Sequence, residues 1–135
     1  MLERTCIVCP RGCRLRIELL DDGSYDISGN ACSRGPEWAR AEMLDSRRIV
    51  TTTLPVLADP ACPETVKRLP VKTSAACPRH LIDELLSDIY SLQIDASTAL
   101  GDILIKNWRN LGFDVIASRD ARVSVFRPST GDRSP

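Results

Sequence analysis

Four cysteines near the start of the chain have the residue type and the spacing to do chemistry. They read Cys6-x2-Cys9-x3-Cys13, then eighteen residues, then Cys32 within Cys32-Ser33-Arg34-Gly35. Thiolates bind soft metals, and three of them within eight residues form a loop that can wrap one compact inorganic object while the fourth closes its far side. A [4Fe-4S] electron-transfer cluster fits this three-plus-one pattern. A structural zinc site with four cysteine ligands is the alternative, because zinc also takes four thiolates and Cys-x2-Cys is a common zinc half-site, although zinc knuckles usually bring two separated pairs. Gly12 relieves crowding beside Cys13, and Gly35 lets the backbone approach a bound group or adopt positive φ. Arg11, Arg14 and Arg34 are candidates for a surrounding shell that lowers the cost of adding an electron to a negatively charged thiolate cluster, or else for solvated surface arginines.

These cysteines need a scaffold, and the intervening residues describe one. Leu15-Arg16-Ile17-Glu18-Leu19 alternates apolar and polar residues as a half-buried strand does, and Asp21-Asp22-Gly23-Ser24 turns the chain. Tyr25-Asp26-Ile27-Ser28 forms the returning arm, after which Gly29-Asn30 brings Cys32 toward the first three cysteines. Pro36 suits the first turn of a helix running to about Leu44. The cysteine-rich lobe is expected to span residues 1–46.

Beyond it the β-branched run Ile49-Val50-Thr51-Thr52-Thr53 reads as a strand whose later part, at Pro55, lies at an edge or bulge. Val66 to Thr73 returns as a second strand. Pro78 is expected to open a helix with Leu81, Leu85, Ile89 and Leu92 along one face. Ile103-Leu104-Ile105 and Phe113 to Ala117 supply two further strands around the turn Asn110-Leu111-Gly112. The expected fold class is α+β: a small cluster-binding lobe with a β-hairpin, then a β-β-α-β-β lobe over residues 47–120. Residues 121–135 have little apolar periodicity and are expected to be a flexible tail.

Composition narrows the function further. The 135 residues carry eighteen basic and eighteen acidic side chains, so there is no global positive field to attract nucleic acid. Aromatic residues make up only 4%, too few to stack bases or frame a large planar cofactor. The start Met1-Leu2-Glu3-Arg4-Thr5 lacks a secretory signal pattern and no apolar run reaches bilayer length, which gives the expectation of a cytoplasmic protein without membrane insertion. Cys62 and Cys77 fall outside the motif and read as free thiols, and His80, the single histidine, lacks a local catalytic partner. Neither a nucleophile elbow nor a phosphate loop occurs, so no catalytic residue is assigned. Trp38 reads as core packing for the small helix or as a shield for the bound group; Trp108, beside Arg109 in an expected turn, reads as a partner contact or a hairpin cap.

The cysteine spacing and its closing Cys32-x-Arg34-Gly35 resemble the N-terminal cluster-binding segment of molybdopterin oxidoreductases, where the closure is commonly Cys-x-Lys-Gly. Leu69-Pro70-Val71-Lys72 is similar to the segment that follows the cluster there. Over roughly Leu2 to Asp120 the chain more closely resembles a family of short bacterial and archaeal four-cysteine proteins of unknown function. The stretches that carry this likeness are Cys6 to Cys13, Val50-Thr51-Thr52-Thr53, Leu69 to Thr73 and Gly101 to Asn107. The resemblance implies an accessory redox role beside flavin-dependent glycerol-3-phosphate dehydrogenase or pyridine-nucleotide oxidoreductase subunits. It thus implies a non-catalytic subunit with a flavoprotein partner. The chain is too short for a pterin-binding body, so no molybdenum site is expected, and Arg34 in place of lysine puts that residue's relay role in doubt.

Overall fold

A computed structural model describes residues 1–123, and these fall into two compact units divided at Arg47 and Arg48. In the first unit, β1 (Leu2–Thr5), β2 (Arg14–Leu19) and β3 (Tyr25–Ser28) form an antiparallel sheet in chain order. The alternation in β2 does what a period of two requires: Leu15 and Ile17 are buried, while Arg16 and Glu18 face outward. The β2–β3 turn is held by Asp22, whose carboxylate accepts from the backbone N–H and the hydroxyl of Ser24 at 2.9 and 2.6 Å. Helix α1 (Arg34–Leu44) buries Ala39, and it packs Trp38 and Met43 against a small core of Cys6, Leu15 and Ile17. Trp38 is therefore part of that core.

Strand β1 has no counterpart among the elements expected from the sequence. Leu-Glu-Arg-Thr has one apolar residue and no alternation, and three of its four positions are exposed. It exists because β2 offers an unpaired edge, along which Leu2 pairs with Ile17 and Thr5 with Arg14. The first helix also starts two residues before Pro36, which leaves the proline in the first turn, where its missing N–H costs nothing.

The second unit contains a four-stranded antiparallel sheet. Its strands are β4 (Thr51–Pro55), β5 (Arg68–Thr73), β6 (Ile103–Ile105) and β7 (Val115–Ala117), in the spatial order β4-β5-β7-β6. Pro55 ends an edge strand, where no neighbour needs its absent donor. Helix α2 (Ile82–Tyr90) lies between β5 and β6 in sequence and contributes the fully buried Leu85 and Ile89 to a core with Leu54, Leu69, Val71, Phe113 and Val115. The α+β class is that of the structure, and the four-stranded sheet with α2 runs β-β-α-β-β; a further two-residue strand, Cys77–Pro78, outside this sheet, precedes α2. Pro78 does not open the α-helix itself: a 3-10 turn at Arg79–Leu81 intervenes, and Leu92 packs on the core from beyond the helix end.

Two expectations change. Trp108 lies in the connection between β6 and β7, its backbone N–H donating to the Phe113 carbonyl at 3.0 Å, and is buried there instead of presenting a partner contact. It is 3% exposed, its ring lies 5.8 Å from that of Phe113, and its indole N–H donates to Asp88 at 2.7 Å. The expected tail does not begin at residue 121, because Ala121 is buried and its N–H donates to Thr98 while its carbonyl accepts from Val66. Val123 likewise donates to Glu64. The rest of the expected tail, 124–135, lies outside the described residues. Among the described residues no helix is long and apolar enough to cross a membrane.

Candidate metal centre

The first three cysteines occupy the connection between β1 and β2. The last strand pair is Thr5 with Arg14, and directly beyond it the Cys6 N–H donates to the Cys13 carbonyl at 2.8 Å. Cys6 and Cys13 thus stand at the two feet of one hairpin loop, with Cys9 between them. At the turn preceding Cys13, Gly12 has φ +61°, a conformation that side chains with a Cβ adopt at a cost, and its N–H donates to the Cys9 carbonyl at 3.4 Å. Gly12 shapes the loop and does not line the cavity described next.

Cys32 arrives from the other direction. Because β3 pairs with β2, placing Ser28 opposite Arg16, the residues that follow β3 run beside Arg14 and Leu15. Gly29, with φ +85°, makes that passage possible: a Cβ there would overlap the Arg14 carbonyl oxygen. Asn30 then donates from Nδ2 to the Cys32 carbonyl at 3.0 Å, fixing the turn, and Gly35 donates its N–H to the same carbonyl at 3.4 Å. Gly35 is buried against Asn30 and Leu15, where a Cβ would come within 3.2 Å of the Asn30 Cβ.

All four cysteines line one cavity of about 130 Å³ together with Val8, Arg11, Asn30, Ala31, Arg34 and Gly35. By comparison, one water molecule needs roughly 10–15 Å³ of such space. Among the described residues no three Cys, His, Asp or Glu side chains are drawn around one point closely enough to hold a single ion. The thiols surround a space. Cys6 is buried, Cys9 and Cys13 are half-buried, and Cys32 is exposed, so the cavity opens on the Cys32 side.

Arg34 dominates the electrostatics of this space. Its side chain hydrogen-bonds the Cys32 thiol, which together with its backbone N–H holds that thiol below its ordinary value. The reciprocal effect raises Arg34, first through the hydrogen bond with Cys32 and then through the charges of Cys32, Cys9 and Cys6. A guanidinium beside several thiols is the arrangement that favours thiolates over thiols.

The structure therefore gathers Cys6, Cys9, Cys13, Cys32, Arg11, Arg34 and Gly35 around one cavity, while Gly12 supports the loop from outside. Cys62 and Cys77 belong to the second unit. Cys77 is fully buried with its thiol on the Pro78 carbonyl, and Cys62 lines a larger, separate cavity of about 690 Å³ with Glu64, Ser97, Asp120 and Arg122. His80 is exposed on the 3-10 turn. The turn at Gly29-Asn30 delivers Cys32 as the sequence implies; what sequence reasoning missed is the Asn30 side-chain bond to the Cys32 carbonyl and the close approach of Gly29 to Arg14. An Asx residue two positions before Cys32 was the available signal.

The profile of a family described as "Protein of unknown function (DUF1667)" matches residues 33–119, which include α1 and the whole four-stranded sheet. The chain belongs to the DUF1667 family. The match begins one residue after Cys32, so the four cysteines precede the matched segment. The NMR structure of the Clostridium perfringens protein CPE0013 has the same fold over 62% of this chain and 93% of that one, with a TM-score of 0.50 and 18% identity. No curated protein matches the chain. In this DUF1667 protein the stretches Leu69 to Thr73 and Val50 to Thr53 meet as neighbouring parts of the sheet, since Thr51 to Thr53 pair with Lys72, Val71 and Pro70.

Proposed function

We propose that this protein carries one [4Fe-4S] cluster on Cys6, Cys9, Cys13 and Cys32 and passes single electrons between that cluster and a flavin-dependent oxidoreductase subunit. The observation that carries this reading is the shared lining of one cavity by all four thiols, with room for more than a single ion. The donor set fits the group: four thiolates are the ligand complement of such a cluster. The bound cluster would supply reversible one-electron chemistry. The chain's own contribution is to hold four sulfurs in place through the hairpin and the Gly29 crossing, and to set positive charge at Arg34 beside them.

The similarity of the closing Cys-x-Arg-Gly segment to the cluster segment of molybdopterin oxidoreductases supports the reading, as does the association of similar short proteins with glycerol-3-phosphate dehydrogenase-type flavoenzymes. The reading places the protein in the cytoplasm, where a reducing poise keeps cysteine thiolates available as metal ligands. It is read as an electron-transfer subunit and not as an independent enzyme.

Anaerobic purification tests the proposal. The protein should be brown, contain about four irons and four sulfides per chain, and give an electron-spin resonance signal on reduction. A colourless protein with one zinc per chain would overturn it in favour of a zinc-stabilised adaptor.

A further inference from the structure

The rim of the cysteine cavity has a composition of its own. The two segments that line it, residues 6–13 and 30–35, contain two charged side chains, Arg11 and Arg34, and no Asp or Glu; Arg14 follows directly and lines a smaller neighbouring pocket with Glu3, Arg4 and Thr5. Across the whole chain the charges cancel, so this is a local excess. Arg34 is engaged with Cys32. Arg11 and Arg14 are exposed and make no ion pair among the described residues, while nearby Arg16 pairs with Glu3 at 3.5 Å. Between Cys6 and Cys9 the loop presents Ile7, 72% exposed, and Val8, 38% exposed, two apolar side chains beside the buried and half-buried thiols.

An exposed apolar pair flanked by unpaired arginines is poorly suited to a face that meets only water. It has the make-up of a contact whose centre is apolar and whose rim is charged. We propose that this face is a docking surface for an acidic protein partner, with Ile7 and Val8 at the centre of the contact and Arg11 and Arg14 recognising carboxylates on the partner. The inference rests on the electron-transfer reading above, because such a reading requires a partner to approach the thiols closely, and Val8 and Arg11 of this loop line the same cavity as the four thiols. Positive rim charges would steer an acidic partner and fix its orientation, acting chiefly on association.

Poly-L-glutamate serves as the probe, its binding to the purified full-length protein followed by fluorescence anisotropy, with iron and zinc measured on the same preparations. Binding should weaken steeply as salt rises from about 0.01 to 0.1 M, over which the screening length falls from ~30 to ~10 Å. The double variant Arg11→Ala/Arg14→Ala should bind roughly tenfold more weakly, Arg11→Lys/Arg14→Lys should retain binding, and Arg40→Ala, on the exposed part of α1, should be unchanged. Equal loss in Arg40→Ala, or no loss in the double alanine variant, overturns the docking surface. The two proposals fail separately. Absence of iron with intact Arg11- and Arg14-dependent binding sinks the cluster and leaves the acidic partner, whereas a full cluster with no such binding does the reverse.

Discussion

The Arg34 side chain hydrogen-bonds the thiol of Cys32, two residues earlier in the chain, at the first turn of α1. This places a permanent positive charge on the exposed member of the four-cysteine set. In the metal-free protein Cys32 should therefore ionise below the ordinary thiol range and react with iodoacetamide at neutral pH faster than the half-buried Cys62. Arg34→Gln removes the charge and its hydrogen bond, so the pH midpoint of Cys32 labelling should move upward. Mass spectrometry of labelled peptides across pH reads the shift, and an unchanged midpoint would mean the contact has no hold on the thiol.

Two glycines of the first unit separate backbone conformation from close approach. Gly23 (φ +81°) and Gly29 (φ +85°) both take left-handed conformations, but a Cβ at Gly23 meets nothing within 4 Å, while one at Gly29 would collide with the Arg14 carbonyl. Gly23→Ala should cost only the conformational penalty, about 1–2 kcal/mol. Gly29→Ala should cost more and should also lower metal content, because the crossing it makes is what delivers Cys32. Urea unfolding followed by Trp38 fluorescence, with metal analysis alongside, compares them.

These glycines also mark where the sequence stops being informative. Strand β2 is readable because its period of two is complete, and α2 because Leu85 and Ile89 fall on one face. Strand β1 is not, since its four residues have no pattern and its existence depends on the partner edge of β2. The cysteine set can be grouped from spacing, but that its first three members form the tip of a β1–β2 hairpin requires knowing β1. Trp108 misleads because a tryptophan next to an arginine in a turn has interface composition, whereas Asp88, twenty residues away in sequence, supplies its hydrogen-bond partner.

That corrected position makes Trp108 a stability site of the second unit. Its ring packs on Phe113, its N–H binds Asp88, and Arg109 lies over it at 4.8 Å while pairing with Glu84. Trp108→Phe keeps most of the ring and loses the hydrogen bond to a charged acceptor, at about 1.5–3 kcal/mol. Trp108→Ala also leaves a cavity and should cost about 3–5 kcal/mol. Circular dichroism in urea checks the order. Near-equal losses would mean that packing contributes little beyond the hydrogen bond.

Replacing cysteines one at a time divides the six by environment. Cys6→Ser, Cys9→Ser, Cys13→Ser and Cys32→Ser each remove one thiolate from the same cavity, and each should sharply lower bound metal. Cys62→Ser should not, because Cys62 lines the separate cavity of the second unit. Cys77→Ser is the informative control: it puts a hydroxyl at a fully buried position, so it should lower stability while leaving metal content unchanged in the protein that remains folded. If Cys62→Ser or Cys77→Ser reduced metal as much as Cys32→Ser, the ligand set would not be the one formed by the hairpin loop and the turn after β3. If the Cys32 variant alone kept its full metal, the three loop cysteines would suffice and Arg34 would be paired with a thiol outside the centre.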